Sequence, residues 1–264
     1  MYRMIELGPA AMQTSLLIGL LSIFLATEIA ARFGKRRGQH SGRIQNGILL
    51  GVVIGIISAR VSYGLLNWEA YRDDFSSWVA LAPQGLNPLI GAAVGITVLI
   101  AYIVWRGEKP RLLLDTLAPA IGIFGITLPL AFLADGSYFG QTSDLPWAID
   151  LWGADRHPTQ LYAALGGGLT LACWWFSREY RQHEGEGVLV IITGNSLTWL
   201  LVSFLIAEPD LILENYRTIQ VVAWLALVGS IFAWNFWLSA DEVSEDNTMT
   251  SQSAEPRQAQ EASE

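Results

Sequence analysis

The sequence predicts an all-α polytopic membrane bundle of seven transmembrane helices, with a small extracytoplasmic cap built from the outer loops. Three observations predict it. Seven mostly apolar stretches lie at residues 12–33, 46–66, 88–106, 112–134, 159–177, 187–207 and 218–238. Each exceeds the roughly 18 residues that cross a hydrocarbon core about 30 Å thick at 1.5 Å per residue. The connections between them are short and leave little room for a soluble core. Finally, Lys and Arg alternate between rich and poor connections, as the positive-inside rule requires.

The first span is preceded by Arg3 and Glu6 and followed by Arg32, Lys35, Arg36, Arg37 and Arg43. A secretory signal has the opposite order of charge, so this stretch reads as a retained anchor with its basic end inside. The third connection holds Arg106, Lys109 and Arg111, and the fifth Arg178 and Arg181. Arg72, Arg156 and Arg217 stand alone in the other connections. The N-terminus is therefore expected outside and the C-terminus inside. The location implied is a plasma membrane crossed several times.

The second span places Gly47, Gly51, Gly55 and Ala59 on one helical face. Small residues at every fourth place let helices approach closely where lipid gives no hydrophobic gain. The third span has Gly91, Ala92, Ala93 and Gly95, and the fifth Gly166, Gly167 and Gly168. The fourth contains Pro119 and Pro129, each of which removes a backbone donor and favours a kink.

Ionisable residues within spans are costly, roughly 2.5–3.5 kcal/mol on insertion scales, and normally have a partner or a wet cavity. Glu28 and Asp115 fall near inner ends and read as structural. Arg60 lies deep in the second span, with Tyr63 on the same face near it, and suits either a carboxylate partner or a lipid phosphate.

The outer connections are aromatic. One carries Trp68, Tyr71, Asp73, Asp74 and Trp78; the other runs from Asp135 to Pro158 with Tyr138, Trp147 and Trp152. Trp and Tyr favour the water–lipid interface. Where the second loop enters the fifth span it reads Arg156-His157-Pro158-Thr159-Gln160-Leu161-Tyr162. Pro158 suits a helix start. Thr159, Gln160 and Tyr162 are expected at the outer interface within the first turn. Arg156 and His157, beside the unpaired N–H groups of a helix N-terminus, form a cationic place for an anionic head group or a simple interfacial anchor.

The rest bounds function by exclusion. The net charge of −8 is concentrated in residues 239–264, which hold seven acids against Arg257 and no apolar period. That segment is expected to be a disordered cytoplasmic tail, leaving residues 1–238 as the membrane domain. No basic surface suggests nucleic acid. Cys173 is alone, and His40, His157 and His183 are far apart, so neither metal nor other cofactor is expected.

The string Arg156–Tyr162 resembles the Arg-His-Pro-(Ser/Thr)-Gln-Leu-Tyr motif of bacterial prolipoprotein diacylglyceryl transferases. Further pieces are similar in order: Ala59-Arg60-Val61-Ser62-Tyr63, Asp115 with Ala118-Pro119, Asp135-Gly136-Ser137-Tyr138-Phe139-Gly140, Pro146-Trp147, Glu208-Pro209-Asp210 and Ile219-Gln220. The resemblance implies seven helices, an extracytoplasmic N-terminus and transfer of diacylglyceryl from phosphatidylglycerol to the lipobox cysteine of a prolipoprotein. It implies Arg156 and His157 as catalytic. It implies Arg60, Tyr63, Asp135, Gly136, Gly140, Gln160 and Tyr162 as substrate-binding. Where the family signature has Arg, two Asn and Glu, this chain has Pro129, Phe132, Asp135 and Ser137; where it has His-Gly-Gly, Leu86-Asn87-Pro88. The family's sixth-helix Tyr, Arg and Glu fall on Ser196, Leu200 and Ser203. Two readings follow: an active transferase, or a family member that binds phospholipid or a membrane partner without turnover.

Overall fold

The computed structural model describes residues 4–7, 10–72, 78, 85–181, 183–208, 211–212 and 216–237. The acidic tail, Arg3, Asp73, Asp74, Pro209 and Asp210 lie outside the described residues. The chain is mostly helical. A hairpin of β1 (Met4–Leu7) and β2 (Ala10–Gln13) pairs Met4 with Gln13 and Leu7 with Ala10. Then come α1 (Thr14–Arg36), α2 (Ser41–Leu66), the single turn α3 (Trp68–Tyr71), α4 (Pro88–Trp105) and α5 (Pro110–Asp135). The hairpin β3 (Ile149–Leu151) and β4 (Ala154–Arg156) precedes α6 (Thr159–Phe176) and α7 (Glu186–Ser203). A last hairpin, β5 (Leu211–Ile212) and β6 (Tyr216–Arg217), leads into α8 (Thr218–Trp237).

Six helices (α1, α2, α4, α5, α7 and α8) are long and apolar enough to cross a membrane. Helix α6 has the length, at 18 residues, but interrupts its apolar run with Thr159, Gln160, Tyr162, Gly166–Gly168 and Thr170. Helix α2 starts at Ser41, five residues before the expected span, because the polar turn Ser41–Gln45 is already helical. The surface is inverted relative to a water-soluble protein. Phe24, Leu49, Leu165, Leu169, Leu225 and Phe232 are exposed, while the buried positions are dominated by Ala, Gly and Ser. Large apolar side chains facing outward and small ones inward are what lipid as solvent favours.

The chain folds as two compact units, residues 16–124 and residues 1–15 with 125–264; α5 contributes to both. In the unit 16–124 the seam between α2 and α4 is built from the small residues read from the sequence. A Cβ added to Gly51 would lie 2.7 Å from Gly95 O, and one on Gly55 2.9 Å from Gly91 O. No side chain larger than hydrogen fits between these backbones. The adjoining core joins Ala26 and Ala30, Ile44, Ile103, Leu113, Leu117 and Ala120. Asp115, 5% exposed, accepts from Arg37 Nη1 at 3.0 Å, and Glu28 accepts from Arg32 Nε at 2.6 Å one helical turn away.

Helix α5 runs unbroken through Pro119, in the unit 16–124, and Pro129, in the other unit, both buried. Proline at 129 has no N–H to give the carbonyl of Gly125 four residues back. That carbonyl is where α6 comes closest: a Cβ on Gly167 would run into Gly125 O. Gly166 against Thr198 and Gly194 against Thr170 hold α6 and α7 equally close.

Candidate functional site

Residues 135–160 form a polar constellation within the unit that includes 125–264. Helix α5 ends at Asp135, whose Oδ1 accepts from Ser137 N at 2.9 Å and Ser137 Oγ at 2.5 Å. Gly136 at φ +78° turns the chain, a conformation that glycine adopts without steric cost. Trp152 lies over it and donates Nε1 to Gly136 O at 3.0 Å.

The chain then runs extended between two neighbours. On one side Gln141 N donates to Leu205 O at 2.8 Å and Ala207 N to Phe139 O at 3.0 Å. On the other, Ser143 N donates to Asp155 O and His157 N to Gln141 O, both at 3.0 Å. Segment 139–143 is therefore the middle strand of a small cap, tied to the end of α7 and to β4. Gly140 sits at its centre; a Cβ there would run into His157 O. Glycine is required by that approach.

This cap fixes Arg156. Its Nε donates to Leu151 O at 3.0 Å and its Nη1 to Gly140 O at 3.3 Å, and the guanidinium lies 4.8 Å from the centre of the Phe139 ring. Two carbonyls and a ring face set its plane and leave Nη2 without a partner among the described residues. Arg156 also has no carboxylate partner there. A positioned guanidinium with an unused N–H edge is suited to a phosphate oxygen.

His157 follows directly. Its Nδ1 is buried without a hydrogen-bond partner among the described residues, and its ring meets Tyr162 edge-on at 6.2 Å. A proton on Nδ1 would be a buried, unmatched donor, so the tautomer carrying the proton on Nε2 is favoured. Tyr162 OH accepts from Trp147 Nε1 at 2.7 Å and so keeps its own hydrogen to donate.

Thr159 and Gln160 depart from expectation. Both are 1% exposed, not interfacial. Thr159 Oγ1 donates to Tyr138 O at 2.6 Å and Gln160 Nε2 to Ser137 O at 2.7 Å. They satisfy loop carbonyls that the turn at Tyr138, φ 52°, leaves without ladder partners. Gln160 thereby positions the loop with one of its two amide hydrogens. Pro158 stands as the residue before the helix, and its carbonyl accepts from Leu161 and Tyr162 N–H.

Of the expected site residues, Asp135, Gly136, Gly140, Arg156, His157, Gln160 and Tyr162 come together in this one unit. Arg60 and Tyr63 belong to the unit 16–124. There Arg60, 7% exposed, donates Nη1 to Gly85 O at 2.6 Å and Nε to Trp78 O at 3.3 Å, and lies 5.3 Å from the Tyr71 ring centre. Tyr63 meets Tyr71 edge-on. These bonds strap the chain before α4 onto α2. The positions where the family signature carries polar groups are given to packing: Phe132 stacks at 4.5 Å on Tyr138 and meets Trp199.

Four residues outside the expected site set support this cap. Trp147 and Trp152, expected in the aromatic outer loops, also donate to Tyr162 OH and to Gly136 O. Phe139 supports Arg156. Arg217 donates Nη1 to Ser203 O at 2.5 Å at the end of α7, where a cation matches the helix dipole. A lone arginine just before the last helix was the available signal.

A family model described as prolipoprotein diacylglyceryl transferase matches residues 3–237. The chain is 28% identical over 186 residues to a phosphatidylglycerol–prolipoprotein diacylglyceryl transferase of Clostridioides difficile, covering 67% of this chain and 71% of that one. A relative of the same name from Methylobacillus flagellatus is 29% identical, over 65% of this chain and 67% of its own. One from Campylobacter curvus is 29% identical over 55% and 56%. Apolar helices and bacterial relatives together make this a membrane protein.

Proposed function

The chain belongs to the prolipoprotein diacylglyceryl transferase family, and from that premise we propose that it moves the diacylglyceryl group of phosphatidylglycerol onto a prolipoprotein cysteine. The observation that carries this reading is Arg156, held by Leu151 and Gly140 carbonyls with one guanidinium edge unused. In the reaction the cysteine thiol gives up its proton to water and its sulfur forms a C–S bond to the glycerol carbon. The bond from that carbon to the phosphate oxygen breaks, and glycerol phosphate leaves with the electron pair. Negative charge grows on the leaving oxygens. Arg156 Nη2, with the Nε2–H of His157, supplies donors for that charge. Asp135, Gly136 and Gly140 shape the loop that presents them, and Tyr162 OH is a further donor beside His157. Arg60 and Tyr63 are proposed as substrate-binding residues of the unit 16–124, considered by itself. The proposed location is a bacterial plasma membrane, with the N-terminus and this cap outside and the C-terminus inside.

A second reading has its own observation. Phe132 packs against aromatic rings, and Ser196 and Ser203 are buried, at positions where the family carries reactive polar groups. A chain with one clamping arginine binds phospholipid without efficient turnover. Labelled phosphatidylglycerol and a lipobox peptide separate the two. Transfer by the purified chain, reduced at least tenfold by Arg156→Ala and by His157→Ala, supports the enzyme. No transfer, with phosphatidylglycerol binding lost on Arg156→Ala, supports the binding protein. Wild-type behaviour of both variants refutes the site.

A further inference from the structure

A second cationic place lies in the unit 16–124, and none of its lining residues belongs to the site proposed above. A cavity of about 540 Å³ opens where α1 turns into α2, against the end of α4. Among its lining residues are Lys35, His40, Arg43 and Arg106, and no carboxylate. In a chain with 24 acids and 16 bases, an acid-free lining with three fixed cations is a local reversal of sign. We propose that this cavity binds a phosphate-bearing anion, either the head group of an anionic phospholipid or free phosphate.

The charges are available. Lys35 has no acidic partner among the described residues. Among the described residues, Arg106 is supported from its apolar side by the rings of Tyr102 and Trp105, each at 5.9 Å. Arg43 is partly committed: its Nη1 reaches Glu108 Oε1 at 3.1 Å and Arg106 O at 3.3 Å. Glu108, which also lies 3.8 Å from His40 Nδ1, offsets one of the cations and leaves an excess of positive charge.

The backbone agrees. Helix α2, 26 residues long, begins at Ser41 on the cavity wall, and its preceding residue His40 supplies no side-chain cap. The first amides of the helix therefore add donors and a positive dipole end to the same space. Added Cβ atoms at Gly38 and Gly42 would meet nothing within 4 Å, so that space is open to a ligand. At the floor, Gln39 is 5% exposed, and one of its amide atoms lacks a partner. Thr116 Oγ1 has a single hydrogen for Gln39 Oε1 and Leu112 O, so turning the amide over only changes which atom is unmatched.

The test keeps this place distinct from the Arg156 site. The full chain carrying Arg156→Ala is purified in detergent and examined by native mass spectrometry with dioleoyl phosphatidic acid, dioleoyl phosphatidylcholine and inorganic phosphate. Phosphatidic acid is expected to be retained over phosphatidylcholine. Adding Lys35→Gln with Arg106→Gln is expected to weaken retention roughly thirtyfold, two cations' worth near a membrane surface. Because those charges also orient the chain, Gly42→Glu is the second variant. It puts an acid in the first turn, which favours the helix, while repelling an anion. It is expected to abolish retention with the melting temperature unchanged or raised. Millimolar phosphate that displaces the lipid identifies the free anion as occupant; phosphate without effect identifies the head group. Equal retention of both lipids, or unchanged retention in Gly42→Glu, overturns the proposal and leaves these cations a purely topological role.

Discussion

Replacing Gly95 by alanine is expected to loosen the α2–α4 seam, and the amount follows from the contact it would make. The new Cβ would lie 2.7 Å from Gly51 O and 3.4 Å from both Gly51 C and Gly55 Cα. A relaxed carbon–oxygen contact begins at about 3.3 Å, so the helices must part locally by roughly 0.6 Å. The atom in the way is backbone and has no rotamer to change. Overpacking of this kind costs about 1–3 kcal/mol. Alanine regains about 0.5–1 kcal/mol of helix propensity, leaving a net loss of about 1–2 kcal/mol. Gly168→Ala is the control, since its Cβ would meet nothing within 4 Å and keeps the propensity gain alone. The two variants should thus differ by about 2 kcal/mol. Unfolding in mixed micelles by SDS titration, followed by the fluorescence of the eleven tryptophans, measures the difference. A Gly95→Ala chain as stable as Gly168→Ala would refute the close seam. The effect should reach Arg60 too, because Asn87 N bonds Ala59 O at 3.0 Å and Gly85 O receives Arg60 in the strap just before α4.

Four further outcomes are expected. Asp115→Ala removes the acceptor for Arg37 and should destabilise the chain by about 1–3 kcal/mol in the same titration, less than a fully buried pair because Arg37 is 30% exposed. Gly140→Ala should displace β4 from the middle strand and cost about 1–3 kcal/mol, with loss of lipid binding at Arg156. Gly153→Ala, open but at φ +75°, should cost only about 1 kcal/mol and spare binding. Trp147→Phe frees Tyr162 OH from its donor and should lower transfer or lipid binding a few-fold with little change in melting temperature, read by titrating labelled phosphatidylglycerol.

The glycines at positions 47, 51, 55, 91 and 95 were legible as a close-packing face because helical periodicity puts them there whatever the partner is. Which helix they meet was not legible. Asp115 read as structural, but its partner Arg37 is 78 residues away, a separation that no local pattern encodes. Gln160 shows the converse. Its place in a specific motif suggested a ligand contact, and the fold gives one of its two amide hydrogens to Ser137 O. A polar side chain in the first turn of a helix serves the loop before it as readily as a substrate, and only the burial of that turn distinguishes the two.

Hydropathy and the sorting of charge are one-dimensional properties, so the membrane class, the helices and the family motif were present in the order of residues alone. The orientation of Arg156 was not. It depends on carbonyls from Leu151 and Gly140 and on the Phe139 ring, brought together by a cap whose middle strand bonds both β4 and the end of α7. A guanidinium becomes a directed clamp only when such long-range bonds fix its plane, and that geometry exists first in three dimensions.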